Sequence, residues 1–247
     1  MKILRFDEGR YGVLEGPWVF VTEGPGGKPT GERLALASVR LRAPVEPTKV
    51  VGVGKNYAAH AREMGSSPPA EPGLFLIAPN AVIGPGEPIP YPSWTKELHY
   101  EGELAVVVGK TMRNVPASEA LAHVLGYTVA NDITARDKQR SDLQWTRAKS
   151  ADGFLPLGPC IETGLDPQDT WVRTYVNGEL KQEGHTGEMI FSVAEVLAYI
   201  SSFMTLLPGD VVITGTPEGV GPIHVGDEVE VAVEGIGTLK NPVEAAP

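Results

Sequence analysis

A single cysteine, Cys160, rules out any disulfide within the chain, and one free thiol fits a reducing, cytoplasmic setting. It lies in the apolar run Leu157-Gly158-Pro159-Cys160-Ile161, where a thiol packs as a small hydrophobe, so a buried bystander is expected. Positive charge is also scarce: 21 Lys and Arg stand against 31 Asp and Glu, a formal net charge of −10. A nucleic-acid groove needs concentrated cations to displace phosphate counterions, so a nucleic-acid partner is not expected. Small anions stay admissible, because a bound metal can supply positive charge locally. No stretch approaches the roughly 18 consecutive apolar residues of a membrane helix. The start, Met1-Lys2-Ile3-Leu4-Arg5-Phe6-Asp7, meets an acid before it builds the apolar stretch of a signal peptide. Five histidines and the cysteine are scattered, with no zinc-ligand spacing. Gly52-Val53-Gly54-Lys55 lacks the spacing of a phosphate loop and the hydroxyl residue that follows its lysine. The reading is a soluble cytoplasmic protein without membrane or nucleic-acid partners.

Glycine (29) and proline (22) are abundant over the 247 residues. Such punctuation suits many short strands joined by turns. Residues 1–46 read as a small β-rich unit, with strands at Met1 to Phe6 and Trp18 to Thr22, a turn at Gly24 to Pro29, and a linker marked by Pro44 and Pro47. Residues 47–247 read as the main domain. Strands are expected at Val50 to Gly54, Glu103 to Val108, Val211 to Ile213 and Glu228 to Glu234. Helices are expected at Tyr57 to Met64, at Ser118 to Val124 with Ser118 as cap, and at Val193 to Phe203, stopped by Pro208-Gly209. Ser66 to Pro72 is a polar, proline-rich loop and a candidate for mobility. Strands outnumber helices without regular alternation, so the fold class is α+β.

Chemistry gathers around acids. Glu101-Gly102-Glu103 opens the strand Leu104-Ala105-Val106-Val107-Val108, and side chains two apart in a strand share a face. Two carboxylates at the mouth of an apolar strand repel unless something positive lies between them, and a hard divalent cation is the natural partner. On its own, the pair is also what a solvated strand edge presents. A third acid, Asp132, ends the apolar strand Gly126-Tyr127-Thr128-Val129-Ala130. Glu101, Glu103 and Asp132 would form an all-oxygen site for Mg2+, with Mn2+ or Ca2+ as substitutes.

Four blocks then carry a resemblance. They are Val53-Gly54-Lys55-Asn56-Tyr57-Ala58-Ala59-His60-Ala61-Arg62-Glu63-Met64, the Leu98–Val107 segment around Glu101 and Glu103, Gly126 through Ser150, and Pro208 through Pro222. In this order the chain resembles the fumarylacetoacetate hydrolase family. The resemblance implies a mixed β-sheet rolled into a barrel-like core, a homodimer, and metal binding by Glu101, Glu103 and Asp132. It also implies a small 2-oxo or enol dicarboxylic acid as substrate, chelating the metal through two oxygens. Phe75-Leu76-Ile77-Ala78-Pro79 departs from the common Phe-Leu-Lys-Pro-Pro, and Ser150-Ala151-Asp152-Gly153-Phe154 from the common Ser-Phe-Asp. Both bear on substrate preference and leave the metal site intact.

His60 and Glu63 lie three apart on a short helix and share a face. In related hydrolases such a pair deprotonates water, whereas by itself it is also an ordinary exposed helix pair. With the neighbouring loop, this helix would serve as a lid ordered by substrate. The resemblance places Lys149 at the metal site, where an ammonium stabilises developing negative charge; a solvated lysine is the alternative. Arg136 and Gln139 share one side of a helical turn and would hold the substrate, with Asp137 pairing Arg136. Thr216, in Thr214-Gly215-Thr216-Pro217, offers a hydroxyl at a turn suited to a carboxylate, or simply makes the turn. The expected function is 2-hydroxyhepta-2,4-diene-1,7-dioate isomerase/decarboxylase-type activity in aromatic-acid catabolism, through a metal-stabilised enolate. The alternatives are an acylpyruvate or fumarylpyruvate C–C hydrolase, an oxaloacetate decarboxylase, or a non-catalytic protein that binds metal and a 2-oxo acid.

Overall fold

The computed structural model describes every residue except Met64, Ser66 and Pro247. Its centre is the strand Gly102–Val108, buried at every position. Leu104, Val106 and Val108 enter one apolar cluster and Ala105 and Val107 a second. Alternate side chains therefore meet core on both faces, which is why the segment reads as an unbroken apolar run.

This strand pairs antiparallel with Val124–Asn131 on one side and Val211–Ile213 on the other. The sheet continues from Val211–Ile213 through a parallel partner, Val50–Gly54, to an edge strand, Gly73–Ile77. In the other direction Val124–Asn131 pairs with Leu155–Glu162, which pairs with Lys2–Phe6. Arg10–Glu15, Trp18–Thr22 and Pro29–Ala35 then complete the sheet as an antiparallel meander. The N-terminal strands thus lengthen the main sheet. A five-stranded sheet, ordered Glu179–His185, Trp171–Val176, Glu228–Val233, Gly237–Ala245 and Ile89–Tyr91, packs against its central strands. A small third sheet joins Thr134–Ala135, Leu98–Tyr100 and Gly221–Pro222. The mixed, mostly stranded α+β class is as expected, but the barrel-like core is not a closed ring: among the described residues every sheet has free ends.

The longest helix, Val193–Phe203, covers the first cluster with Val193, Val196, Leu197 and Ile200. Its start is a capping box: the Ser192 hydroxyl accepts from the Glu195 N–H while the Glu195 carboxylate accepts from the Ser192 N–H. Ser118 does not cap a helix. That helix is only Ala117–Ala120, preceded by Pro116, and a 3-10 turn follows at Leu121–His123. Pro116 occupies the cap position and has no side-chain acceptor, while Ser118 lies inside the turn. The helix expected at Tyr57 to Met64 spans Ala58–Glu63, with Met64 outside the described residues. The loop expected to be mobile includes Ser66, also outside them; within it, Glu71 accepts a hydrogen bond of 2.8 Å from the Tyr199 hydroxyl. Cys160 is buried, 2% exposed, and burial pushes its thiol pKa up to about 11. No helix among the described residues is long and apolar enough to cross a membrane.

Candidate metal centre

Strand register brings the three acids together. Gly102 lies opposite Asn131, so Glu101 and Asp132 flank that pair, joined by the Asp132 N–H to Glu101 C=O bond of 2.8 Å. The Asn131 side chain fixes the same turn by accepting from the Glu101 N–H at 3.0 Å. Carboxylate oxygens of Glu101, Glu103 and Asp132 all lie within 4.8 Å of one another, and all three residues are buried. The glycine between the glutamates is a packing requirement: a Cβ on Gly102 would lie 2.1 Å from the Thr174 hydroxyl oxygen. Glu103 is held in turn by the Gly215 N–H at 2.6 Å. Gly215 has φ +95° and a Cβ there would crowd Asn56 at 2.8 Å, so only glycine presents its N–H this way.

Lys149 is fully enclosed rather than partly so. Its Nζ reaches Glu101 Oε2 at 2.6 Å and Asp132 Oδ2 at 2.5 Å, with the Phe75 ring centroid 5.0 Å away. Arg136 donates to the other Glu101 oxygen and to Gln139 Oε1 at 2.7 Å. Burial penalises the Glu101 carboxylate, but the Lys149 and Arg136 cations outweigh it and hold its pKa below the usual range. Glu103 has no such partner, and burial with repulsion from Asp132 and Glu101 drives its pKa far up. Asp132 is pushed up to about 7, chiefly by burial, with Lys149 opposing. Lys149 titrates higher than usual because Asp132 and Glu101 outweigh its own burial. The buried Asp132 Oδ1 has no hydrogen-bond partner.

The acids form the floor of a cavity of about 170 Å³, which is also lined by His60, Arg136, Gln139, Lys149 and Thr216. His60 Nδ1 lies 3.0 Å from Glu63 Oε2, and the second Glu63 oxygen accepts from the Gly219 N–H at 3.0 Å. Glu101, Glu103, Asp132, His60, Arg136, Gln139, Lys149 and Thr216 thus share one cavity, with Glu63 joined to it through His60, while Thr216 and Asp137 differ from expectation in what they touch. The Thr216 hydroxyl is engaged twice, donating to Gly102 C=O at 2.9 Å and accepting from Gln182 at 2.8 Å. Asp137 does not pair with Arg136. It accepts from the Thr95 hydroxyl and lies 3.0 Å from Lys138 Nζ, because the Arg136 guanidinium points inward to Glu101.

Sequence reasoning missed several neighbours. Gln182, 1% exposed, accepts from the Gly102 N–H at 3.0 Å and donates to Thr216 and to Pro217 C=O, so it ties the acidic strand to the following loop. It lies some 80 residues beyond the acids on a different sheet, and no local pattern signals it. Phe75 and Trp145 form the apolar wall, their rings edge to face at 5.4 Å. Lys55 and Arg140 complete the lining. Lys55 takes a positive φ of 58° in the middle of the quoted block.

Residues 49–244 match the family model described as fumarylacetoacetate (FAA) hydrolase C-terminal. The chain belongs to the fumarylacetoacetate hydrolase family. Residues 1–44 match a second model, described as Rv2993c-like, N-terminal. Protein Rv2993c of Mycobacterium tuberculosis is 53% identical over 90% of this chain and 86% of its own. The 2-hydroxyhepta-2,4-diene-1,7-dioate isomerase of Mycobacterium marinum superposes with a TM-score of 0.92 at 46% identity, covering 99% of this chain and 98% of its own. Maleylpyruvate hydrolase from Sphingobium sp. SYK-6, solved with manganese(II) and pyruvate, matches at 30% identity and a TM-score of 0.86, covering both chains fully.

For a fumarylacetoacetate hydrolase fold, the donor set fits a divalent ion. Three carboxylates at the end of one cavity are hard oxygen ligands. The orphaned Asp132 Oδ1 and the unfavourable charge on Glu103 both mark a place where positive charge belongs. Glu101, Glu103 and Asp132 would hold the ion.

Proposed function

We propose that this protein is a divalent-metal-dependent enzyme acting on 2-oxo or 2-hydroxy-enol carboxylic acids, with 2-hydroxyhepta-2,4-diene-1,7-dioate isomerase/decarboxylase-type activity as the leading reading. The observation that carries it is the buried triad Glu101, Glu103 and Asp132, with its unpartnered oxygen, at the floor of a cavity rimmed by cations. Bound there, a divalent ion supplies electrophilic stabilisation of negative charge at the 2-oxygen of such an acid. Mg2+ suits three carboxylates best, and Mn2+ would substitute. The likeness to a 2-hydroxyhepta-2,4-diene-1,7-dioate isomerase and to a maleylpyruvate hydrolase solved with pyruvate supports the substrate class.

The chain's own residues supply the rest. Lys55, Arg136, Arg140 and Lys149 line the cavity. Arg136 and Lys149 are paired with the acids and Arg140 with Glu97, so it is with a divalent ion on the acids that these cations favour an anionic ligand over a neutral one. Phe75 and Trp145 exclude water from one wall, which strengthens those charges. The contact between His60 Nδ1 and Glu63 makes that nitrogen the hydrogen-bonded one and leaves Nε2 to take or give a proton.

The same contact favours a second reading, C–C hydrolysis of an acylpyruvate. A carboxylate that orients an imidazole 3.0 Å away is the arrangement that activates water. Isomerisation needs only a proton moved along the chelated dienol, and decarboxylation only a charge sink.

Purified protein assayed with Mg2+ or Mn2+ against the dienedioate, acylpyruvates and oxaloacetate separates these. The expected result is metal-dependent turnover of at least one of them, lost on chelation and in Glu103→Ala. Metal bound with none of them turned over would replace the enzyme reading by that of a metal and 2-oxo acid binding protein.

A further inference from the structure

Glu63 makes two contacts, and the second is not needed for a simple dyad. One oxygen faces His60 Nδ1, while the other accepts from the backbone N–H of Gly219 at 3.0 Å. The carbonyl of Gly219 is taken as well: the Tyr100 hydroxyl donates to it at 2.8 Å. Tyr100 immediately precedes Glu101 in the chain and is 4% exposed. One glycine residue therefore bridges the strand Leu98–Tyr100, which ends just before Glu101, and the helix that carries the imidazole.

The local structure is built for this bridge. Gly219 has φ +94°, and a Cβ there would lie 2.3 Å from Lys181 C=O. Tyr100 pairs with Gly221 in the small three-stranded sheet, and a Cβ on Gly221 would come within 2.9 Å of the tyrosine hydroxyl. Gln182 holds Pro217 C=O at 2.9 Å, fixing the same loop from the other side.

We infer that Tyr100 is a positioning residue for the His60–Glu63 pair, acting through Gly219, whose C=O and N–H belong to successive peptide groups, to hold Glu63 against the imidazole. The inference rests on the reading of that pair as a proton-transfer dyad. Glu63 is partly exposed and would otherwise sample several rotamers in water; two fixed partners restrict it to one. Because the anchor is the residue before Glu101, dyad and metal acids share one frame.

The test compares wild-type holoenzyme with Tyr100→Phe and Gly219→Ala, loaded with Mn2+. Acylpyruvate hydrolysis should lose about tenfold in kcat in Tyr100→Phe, with KM and the Mn2+ Kd within about twofold, as expected when orientation alone is lost. Backbone amides of Ala58–Glu63 should exchange with deuterium about fivefold faster, the effect of one lost hydrogen bond. Gly219→Ala should show both effects more strongly. Unchanged exchange in the helix would overturn the relay, as would a fall in Mn2+ affinity matching the fall in kcat, which would mark a damaged carboxylate site. A wild-type protein that turns over none of the dienedioate, acylpyruvates and oxaloacetate would sink the parent reading instead, and the exchange data alone would then judge the relay.

Discussion

Lys149 shows how charge is balanced at single residues. Its ammonium bridges two carboxylates inside the protein, so removing it leaves Asp132 without a paired cation and Glu101 with Arg136 alone. Lys149→Met should cost about 3 kcal/mol of stability in metal-free protein. Much of that loss should return when Mn2+ is added, since the ion restores positive charge at the same carboxylates. Urea unfolding with and without Mn2+ measures both, and a loss that Mn2+ does not reduce would count against the shared site. Asp210 offers a test remote from the metal acids. Its side chain is fully buried, accepts from the Thr48 hydroxyl at 2.6 Å and the Leu207 N–H at 2.7 Å, and pairs with Lys49. Burial opposes its charge, but these partners prevail and hold the pKa below the ordinary value. A depressed folded pKa means that the stabilisation is complete above the unfolded value of about 3.9 and is lost as pH falls through the folded one. Asp210→Asn should therefore cost about 2 kcal/mol near neutrality, and the gap from wild type should narrow as the medium is acidified below about pH 4. A gap independent of pH would contradict the ionised assignment.

At the scale of elements, the strands and the long helix follow local rules. Ser192→Ala removes a capping box and should cost about 1 kcal/mol, read as a lower melting temperature without change in metal affinity. That helix has the bounds expected from sequence, Val193–Phe203, and the structure adds the Ser192–Glu195 capping box at its start. The strand after Glu103 was legible too, its apolar run reflecting core on both faces. The Ala117–Ala120 turn was misread, because Ser118 looks like a cap while Pro116 occupies the cap position. Convergence of Glu101, Glu103 and Asp132 was readable from strand alternation and from family blocks. Gln182, Tyr100 and Gly219 were not, since their contacts span from 34 to 156 residues of sequence. Open sheet ends in place of a barrel reflect long-range pairing that no local pattern encodes.

For the molecule as a whole, the cavity and its acids are tied to the central sheet, so ion binding should be felt by the entire fold. A ligand that binds only the native state raises stability by mass action, by about 2.7 kcal/mol at a hundredfold excess over Kd. Saturating Mg2+ or Mn2+ should raise the melting temperature of wild type and leave that of Glu103→Ala nearly unchanged. Calcium should bind as well, since three carboxylates accept several hard cations. The most direct measurement is anomalous diffraction from crystals grown with Mn2+ and pyruvate. One manganese peak is expected at coordination distance, about 2.0–2.6 Å, from oxygens of Glu101, Glu103 and Asp132 together, with the 2-oxo acid completing its shell. A saturated crystal without manganese there, the acids neutralised by Lys149 and Arg136 alone, would contradict the metal assignment.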